Sequence, residues 1–362
     1  MKYALITTTI FVPKLLAEYV AQAKAQSITD LTIVVIGDLK TPAETQTFCE
    51  ELGKTSGYTC EYYSPDQQVA YLSNQPELLA HLTWNSIMRR NIGILRGYEL
   101  GADVIITIDD DNFIADKNYF EAFDAVAQET SWKAVASPDG WFNVCSQLVE
   151  ERGTTFFHRG YPTAPRTSHA APSWGDVQGK AAIVAGFWME EPDIDAAQRL
   201  ACPVRVTGCL APERFVLSHD TWSPFNSQNT GIRRDVVPAY FLSPYIGRYD
   251  DIWASYIVTK IAHHLKDYIA FGRPIVRQDR NPHNYFKDFD AESVGMQLTD
   301  RVCLWLRSVE LTGNSYADCF KEILNASYGL LDDKDLTQDQ RRSLIAWMDG
   351  CRIWSEACRR IG

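Results

Sequence analysis

Residues 104–111 constrain the fold more than any other part of the chain. The run from Val104 to Ile108 is apolar and rich in β-branched side chains, which is typical of a buried strand in a parallel sheet. Asp109, Asp110 and Asp111 follow this run directly. Ligands of open parallel sheets bind beyond the carboxyl ends of the strands. The sequence therefore predicts three carboxylates at a ligand-binding edge of a sheet.

These three carboxylates predict a divalent cation site. Adjacent like charges repel, and they repel more when they are partly desolvated. Alternate residues of an extended chain point the same way, so Asp109 and Asp111 can face one ion while Asp110 points elsewhere. Oxygen ligands with open coordination positions suit Mg²⁺ or Mn²⁺, which can also hold a diphosphate. An isolated Asp-Asp-Asp is more often a solvated turn, but the buried strand before it favours the metal site.

Composition argues against several classes of partner. The 362 residues carry a net charge of −11, which argues against non-specific nucleic-acid binding and against a basic membrane-binding patch. The nine scattered cysteines form no metal-binding spacing and indicate reduced thiols in a cytoplasm. The N-terminal apolar stretch is too short for a signal peptide, and no window has the length of a membrane span. We expect a cytoplasmic protein without nucleic-acid or membrane partners.

The order of predicted elements indicates an α/β fold. Strands are expected at 3–9, 31–36, 58–63 and 104–108, and helices between them at 13–26, 42–54 and 84–100. This alternation implies an open, mostly parallel sheet flanked by helices. Thr8 and Asp38 lie at the ends of the first two strands, so we expect them to border the same crevice as the aspartates.

The second half of the chain is predicted to be irregular first and helical afterwards. Residues 139–185 are rich in Gly, Pro, Ser and Arg, and a long loop of this kind is usually functional or disordered. A helix is expected at 250–266. From about residue 290 the pattern is helical, with helices expected at 291–312, 315–328 and 337–360.

The segment before the aspartates carries a first resemblance. Arg89-Arg90-Asn91-Ile92-Gly93 lies on the helix that leads to the aspartate strand, and guanidinium groups match phosphate oxygens. The alternative for each arginine is a solvated helix face. The order Arg-Asn-x-Gly, helix, apolar strand and Asp-Asp-Asp resembles the nucleotide-sugar domain of GT-A glycosyltransferases. That resemblance implies a Rossmann-like fold in which the aspartates hold a metal that bridges a nucleotide diphosphate.

Three further blocks narrow the resemblance. His158-Arg159-Gly160-Tyr161-Pro162 resembles the Arg-Gly-Tyr-Pro segment of the plant reversibly glycosylated polypeptides, a family that includes the UDP-arabinopyranose mutases. Residues 185–196 resemble that family's Gly-Leu-Trp-Leu-Asn-Ile-Pro-Asp-Tyr-Asp-Ala, and residues 246–254 nearly repeat its Ile-Gly-Arg-Tyr-Asp-Asp-Met-Trp-Ala. The blocks keep the family's order over roughly residues 85–275. Asn112 departs from the family pattern, because the plant proteins have Cys there, and these motifs leave the C-terminal helices unmatched.

The resemblance implies that Arg159 becomes glycosylated and is needed for mutase action. A guanidinium stays protonated and is a poor nucleophile, so a carboxylate has to orient it. Asp250 and Asp251 are the candidates for this role near the anomeric carbon, although carboxylates at a helix start also serve as ordinary caps. For Arg159 the alternative is an ion pair that fixes the loop.

The remaining site residues follow from the same resemblance. Thr8 and Asp38 are expected to contact the nucleoside. Arg90 and Arg248 are expected to neutralise phosphate, and Asp110 is expected to lie beside the diphosphate. Trp188 is a candidate for stacking on a sugar face, although a tryptophan is more often core. Sugar hydroxyls or the diphosphate are expected to meet Asn226, Gln228 and Asn229. GT-A enzymes often supply a late histidine to the metal, which makes His283 a third ligand candidate.

The sequence leaves three functions open. The leading interpretation is a UDP-sugar pyranose/furanose mutase that acts through a transient glycosyl-enzyme and uses Mn²⁺ or Mg²⁺. The alternatives are a glycosyltransferase with a small-molecule or protein acceptor, and a non-catalytic partner protein that binds a nucleotide sugar. We expect a GT-A-like catalytic domain at 1–290 and a helical subdomain at 291–362, and a homo- or hetero-oligomer remains open.

Overall fold

The computed structural model describes residues 1–168, 170–279 and 284–361 of the chain. The strands are β1 Tyr3–Thr8, β2 Leu31–Ile36, β3 Thr59–Tyr63, β4 Val104–Ile108, β5 Asn112–Ile114, β6 Thr130–Ala136, β7 Leu148–Glu150, β8 Ser173–Gly179, β9 Ala181–Glu190, β10 Val206–Cys209, β11 Phe215–Leu217, β12 Asn229–Arg233 and β13 Tyr268–Gln278. The helices are α1 Leu16–Ala25, α2 Glu44–Ser56, α3 Pro65–Tyr71, α4 Pro76–His81, α5 Arg90–Glu99, α6 Ala196–Ala201, α7 Asp250–Leu265, α8 Tyr285–Ser308, α9 Tyr316–Ala326 and α10 Gln338–Ile361.

One sheet organises the described residues. Its main path runs β3-β2-β1-β4-β12-β9-β13-β11-β6-β8. The first four strands of this path are parallel to one another, and β12 then pairs antiparallel with both β4 and β9. The predicted α/β fold class is confirmed, with the parallel part in the N-terminal half and mixed pairing beyond it.

The parallel register brings the predicted polar residues to one edge. β1, β2 and β4 are buried along their whole length, as β-branched strands covered on both faces must be. Thr8 pairs with Ile36 and Thr7 pairs with Ile108. The chain therefore leaves β1, β2 and β4 at the same level, and the segments that follow these strands lie side by side, as the sequence predicted.

A glycine fixes α5 close to the sheet. A Cβ at Gly93 would lie 2.4 Å from Cγ2 of Ile6, so a larger residue there would push the helix away from β1. This close approach explains the glycine of the Arg-Asn-x-Gly motif. It also holds the N-terminus of α5, with Arg90, beside the end of β4.

The C-terminal helices pack on α7. Trp347 of α10 lies edge-to-face against Trp253 of α7, with ring centroids 5.2 Å apart. The Trp253 indole donates a hydrogen bond of 3.0 Å to Thr299 of α8, and the Trp354 indole donates one of 3.0 Å to the Val237 carbonyl. The expected helices at 291–312, 315–328 and 337–360 correspond to α8, α9 and α10. Since α8 runs across residue 290, the division into two domains stays a prediction.

In the part of the chain that the structure describes, no helix combines the length and apolarity needed to cross a membrane.

Candidate functional site

A cavity of about 250 Å³ lies at the carboxyl ends of the central strands. Its polar lining consists of Arg90, Asp109, Asp110, Asp111, Arg159, Asp193, Asn226, Ser227, Gln228, Arg248, Asp250, Asp251 and Gln278. A second cleft of about 170 Å³ adjoins it and shares Ile87 and Asp110 with it. Ten side chains that the sequence marked as candidates thus line a single cavity, although they come from five separate segments of the chain.

The three aspartates have different surroundings. Asp109 forms an ion pair with Arg90 and remains partly exposed. Asp110 accepts a hydrogen bond of 2.6 Å from the Thr9 hydroxyl. Burial raises the pKa of Asp110 above its ordinary value, although the Thr9 hydroxyl opposes the shift. All three carboxylates line the cavity, so a cation bound there would relieve a real electrostatic cost.

Arg90 is a buried link between two segments at the cavity wall. Its Nη1 donates to the Ser227 carbonyl at 2.8 Å and to the Ser227 hydroxyl at 2.9 Å. Its Nη2 donates to the Ile108 carbonyl at 3.1 Å and pairs with Asp109. Because these contacts occupy much of the guanidinium, Arg90 is suited to positioning Asp109, and its role as a phosphate ligand stays a prediction.

Arg159 is held at the cavity by two carboxylates. Its Nε and Nη2 donate to the two oxygens of Asp193 at 2.9 and 3.0 Å, and Nη2 also donates to Asp251 at 3.0 Å. Its Nη1 donates to the carbonyl of Arg248. Burial alone would lower the pKa of Arg159, but the charges of Asp193 and Asp251 outweigh it and raise that pKa well above its ordinary value. The resting guanidinium is therefore a fixed cation.

Asp250 and Asp251 begin α7 and have different environments. Asp251 accepts hydrogen bonds from the Ser227 backbone N–H at 3.0 Å and the Ser227 hydroxyl at 3.1 Å, in addition to the contact with Arg159. Burial, and after it the charge of Asp251, raises the pKa of Asp250 to about 7. Adjacent carboxylates with such different surroundings suit different roles: Asp251 contacts Arg159 directly, and Asp250 is the carboxyl group whose pKa lies near neutral.

Arg248 contributes a more exposed cation to the same cavity. Its Nε lies 3.3 Å from Glu292, its Nη1 lies 3.7 Å from Asp288, and about a third of its side chain is exposed. Both acidic partners belong to α8, so this helix fixes the arginine at the mouth of the cavity. Of the three arginines in the lining, Arg248 is the most accessible to a phosphate.

The adjoining cleft contains the two residues predicted to contact a nucleoside. Thr8 is about nine-tenths buried, and among the described residues its hydroxyl has no hydrogen-bond partner. Asp38 accepts hydrogen bonds from the backbone N–H groups of Asn85 at 2.9 Å and Ser86 at 3.0 Å. Asp38 therefore shapes the wall of the cleft, and the Thr8 hydroxyl is available to a ligand.

Two predicted residues are not brought to the cavity. Trp188 is 2% exposed, is packed against His158 and is not among the cavity-lining residues. Asn229 is fully buried and accepts a hydrogen bond of 3.0 Å from the Tyr119 hydroxyl. Their predicted role in sugar binding has no support from these positions, because both side chains lie in the core. His283 lies outside the described residues.

The structure also adds residues that sequence reasoning missed. Asp193 provides both oxygens to Arg159, and Ser227 contacts Arg90 and Asp251. Asp193 lies inside the block of residues 185–196 that resembles the family. The motif match therefore pointed to this segment but did not indicate what Asp193 does. For Gln278, whose buried Oε1 lines the cavity without a partner among the described residues, the sequence offered no signal.

The cavity's donor set fits a divalent cation. Six aspartates and three arginines line it, so it carries an excess of negative charge even before a diphosphate enters. Mg²⁺ and Mn²⁺ bind through one or two carboxylates together with substrate phosphates and water. In the described ranges no three His, Cys, Asp or Glu side chains are arranged to hold a metal ion by themselves.

Several plant enzymes are similar in sequence to this chain. UDP-arabinopyranose mutase 2 of Arabidopsis thaliana is 24% identical over 261 residues, which cover 70% of this chain and 68% of the relative. Probable UDP-arabinopyranose mutase 4 of the same plant is 25% identical over 261 residues, with 70% and 67% coverage. UDP-arabinopyranose mutase 1 of Oryza sativa subsp. japonica is 27% identical over 178 residues, covering 48% and 46%.

Solved structures give weaker similarities. Glucosyl-3-phosphoglycerate synthase from Mycobacterium tuberculosis, in complex with Mn²⁺, UDP-glucose and phosphoglyceric acid, is 9% identical with a TM-score of 0.42 over 86% of this chain and 81% of that chain. The mannosyltransferase PcManGT from Pyrobaculum calidifontis, in complex with GDP-mannose and Mn²⁺, is 9% identical with a TM-score of 0.35 over 99% and 86%. Because these scores are low, the family assignment rests on sequence.

The sequence model of one family spans almost the whole chain. It matches residues 26–357, which include the aspartate strand, the Arg159 loop, the start of α7 and most of the C-terminal helices. The resemblance drawn from the motifs is confirmed, and it extends to helices that the motifs left unmatched. The chain belongs to the reversibly glycosylated polypeptide family.

Proposed function

We propose that the protein is a metal-dependent nucleotide-sugar enzyme that interconverts the pyranose and furanose forms of a UDP-linked sugar. The observation that carries this proposal is the arrangement around Arg159. The arginine of the Arg-Gly-Tyr-Pro segment lies in the same cavity as the aspartate triad, oriented by Asp193 and Asp251. Family membership and the names of the relatives support the reaction class.

The two adjoining clefts divide the substrate between them. The nucleoside occupies the cleft with Thr8 and Asp38, and the sugar occupies the larger cavity with Arg159. Asp110 belongs to both spaces, so the diphosphate passes this point and meets Arg248. Asp109 and Asp111 would hold Mg²⁺ or Mn²⁺, which when bound neutralises charge on a departing diphosphate.

The first chemical step is transfer of the sugar to Arg159. The bond between the anomeric carbon and the diphosphate oxygen breaks, and UDP leaves with the electron pair. An Nη atom of Arg159 bonds to that carbon and gives up one proton. Asp251 is the acceptor, because its carboxylate already receives the Nη2 hydrogen bond at 3.0 Å. Because the pKa of Arg159 is raised, the guanidinium needs such a base to give up its proton.

The second step changes the ring size. A glycosyl-nitrogen bond allows the ring to open, because the nitrogen lone pair stabilises the open chain as the ring oxygen accepts a proton. Asp250 supplies that proton and later recovers one from the hydroxyl that closes the new ring. Its pKa near 7 lets it serve in both directions close to neutral pH. Return of UDP to the anomeric carbon then releases the isomerised nucleotide sugar and restores the proton to Arg159.

The experiment incubates purified protein with a panel of UDP-sugars and Mn²⁺. Products are separated by chromatography, and the protein is weighed intact by mass spectrometry. We expect a new UDP-sugar isomer, together with a sugar adduct that is absent in Arg159→Ala. The matched control is Arg166→Ala, since Arg166 lies in the same loop and pairs with Asp195 outside the larger cavity. An isomer formed equally well by Arg159→Ala would overturn the proposal.

A second function is favoured by one observation. The Arg159 guanidinium already has ion-pair or hydrogen-bond partners at Nε, Nη1 and Nη2, which suits a cation that holds a diphosphate as well as it suits a nucleophile. In that case the protein is a glycosyltransferase, and UDP is released without isomer or adduct. The non-catalytic hypothesis predicts UDP-sugar binding with neither product.

A further inference from the structure

We propose that a basic cleft at the C-terminal end of α7 binds a phosphate-bearing small molecule. The cleft has a volume of about 870 Å³, within the range of small-molecule sites. Its lining includes Lys260, Lys266, Arg307, His219, His263 and His264. We refer to these six residues as the basic cleft.

The basic cleft is separate from the proposed active site. Asp250 and Asp251 begin α7 at the cavity, whereas His263 and His264 lie in its last turn. The 16 residues of this helix span roughly 24 Å at the usual rise per residue. Among the described residues, none lines both spaces. A ligand in the basic cleft would therefore not take part in the reaction at Arg159.

The cations of the basic cleft are not neutralised by ion pairs. Within the described ranges Lys260, Lys266 and Arg307 form none, whereas most arginines of this acidic protein are paired with carboxylates. The Lys260 ammonium donates to the carbonyl of Arg307 at 3.1 Å. Two carboxylates, Asp220 and Glu310, also line the cleft, so the cations remain in excess. This excess favours an anion.

Arg307 is held above aromatic rings. Its guanidinium lies 5.7 Å from the Trp141 ring centroid and 5.9 Å from that of Trp222. Cation–π contact fixes the plane of a guanidinium without using its N–H donors. The planar fork thus remains free to bind two phosphate oxygens.

Two histidines have unsatisfied ring nitrogens in this region. His263 is 8% exposed, and its Nε2 has no partner among the described residues. The Nε2 of His219 is also buried and has no hydrogen-bond partner among the described residues. The ring centroids of His219 and His263 lie 6.0 Å apart. Burial, followed by the surrounding positive charges, lowers the pKa of His263 to about 3. Buried polar atoms normally have partners, and a ligand oxygen would supply one.

Lys266 occupies a backbone conformation that favours glycine. Its φ is +65° at the C-terminal cap of α7, where glycine is the usual residue. Lys266 therefore carries a conformational strain that glycine would not. Its side chain lies in the lining of the basic cleft.

The test measures anion binding by calorimetry at fixed ionic strength. The probes are inorganic phosphate and glucose 1-phosphate, and the variants are Lys266→Gly and Lys260→Gln. We expect each variant to weaken phosphate binding roughly tenfold, the usual effect of losing a charge-assisted hydrogen bond. Lys266→Gly should melt at the same or a higher temperature than wild type, because glycine relieves the strained backbone. Weaker binding then cannot reflect poor folding.

Two controls separate the basic cleft from other phosphate sites. Lys321→Gln removes an exposed lysine from α9 outside the cleft and should leave phosphate affinity unchanged. Arg248→Gln alters the diphosphate end of the proposed active site and should weaken phosphate binding there. Lys266→Gly and Lys260→Gln should therefore lower phosphate affinity by the same factor in the wild-type and the Arg248→Gln backgrounds. Phosphate affinity that falls only in Arg248→Gln, or that is equal in wild type and both cleft variants, would overturn the proposal. Tighter binding of glucose 1-phosphate than of phosphate would identify a sugar phosphate as the ligand.

Discussion

Replacement of Asp193 by asparagine tests the arrangement around Arg159 most directly. Asp193 receives hydrogen bonds from Arg159 Nε at 2.9 Å, from Arg159 Nη2 at 3.0 Å and from Asn226 at 2.8 Å. An asparagine offers one carbonyl oxygen where the carboxylate offered two. At least one buried donor would therefore lose its partner, and one of the two carboxylates in direct contact with Arg159 would lose its charge.

The stability cost of Asp193→Asn follows from these contacts. A buried donor without a partner costs about 1–3 kcal/mol, and removing one member of a buried ion pair costs about 3–5 kcal/mol. Asp251 still faces Arg159 at 3.0 Å, so we expect a loss of ~3 kcal/mol, between these limits. In a chain of 362 residues that lowers Tm by roughly 4 °C. Isomerisation should fall by more than a hundredfold, because the reacting nitrogen loses its orientation.

Asp195→Asn is the matched control. Asp195 is buried in the same segment, pairs with Arg166 at 2.5 Å and accepts a hydrogen bond of 2.9 Å from the Tyr249 hydroxyl, but it does not line the larger cavity. It should lose comparable stability and keep most of its isomerisation rate. Thermal unfolding and chromatography of the nucleotide sugars measure the two effects. Wild-type turnover in Asp193→Asn would refute the role given to this carboxylate.

Three other predictions concern packing, metal binding and pH. Gly93→Ala should lower the free energy of unfolding by about 1–3 kcal/mol, because its Cβ would lie 2.4 Å from Ile6. The control is Gly208→Ala, whose Cβ meets nothing within 4 Å. In chemical unfolding this control should stay within about 0.5 kcal/mol of wild type. Asp111→Asn should weaken Mn²⁺ binding more than tenfold, since even the loss of a residue that only supports a metal ligand costs 10–100-fold in affinity. Titrations that follow free Mn²⁺ by electron paramagnetic resonance measure this effect. Unchanged Mn²⁺ affinity would show that Asp111 is not a metal ligand. Folding raises the pKa of Asp250 to about 7, so its contribution to stability is present at low pH and is lost as pH rises. The Tm of wild type relative to Asp250→Asn should therefore fall between about pH 4 and pH 8, and a constant difference would contradict the raised pKa.

The parts of the fold that were predictable depend on local patterns. β1, β2 and β4 are short apolar runs that end at polar residues, and parallel strands of this kind must end at one edge. The positions of β9, β12 and β13 were not predictable, because strand order there results from pairing between distant segments. Antiparallel β12 enters beside β4, and no local pattern in either strand specifies that neighbour.

The candidate site shows the same division. The motifs identified Arg159, Asp250 and Asp251, because charged residues in an unusual order are visible in a sequence. They gave no role to Asp193, which orients Arg159. The sequence could not place Trp188, because a tryptophan in a matched block looks the same in a sequence whether it packs in the core or contacts a sugar.

Ser227 explains how the two ends of the cavity are held in one geometry. Its hydroxyl accepts a hydrogen bond of 2.9 Å from Arg90 and donates one of 3.1 Å to Asp251. Arg90 also pairs with Asp109, and Asp251 also pairs with Arg159. A continuous polar chain therefore links the end of β4, where the metal is proposed to bind, to the arginine proposed to receive the sugar. Departure of the diphosphate and attack by Arg159 require a fixed distance between those two ends, and a small hydroxyl buried between two ion pairs maintains it.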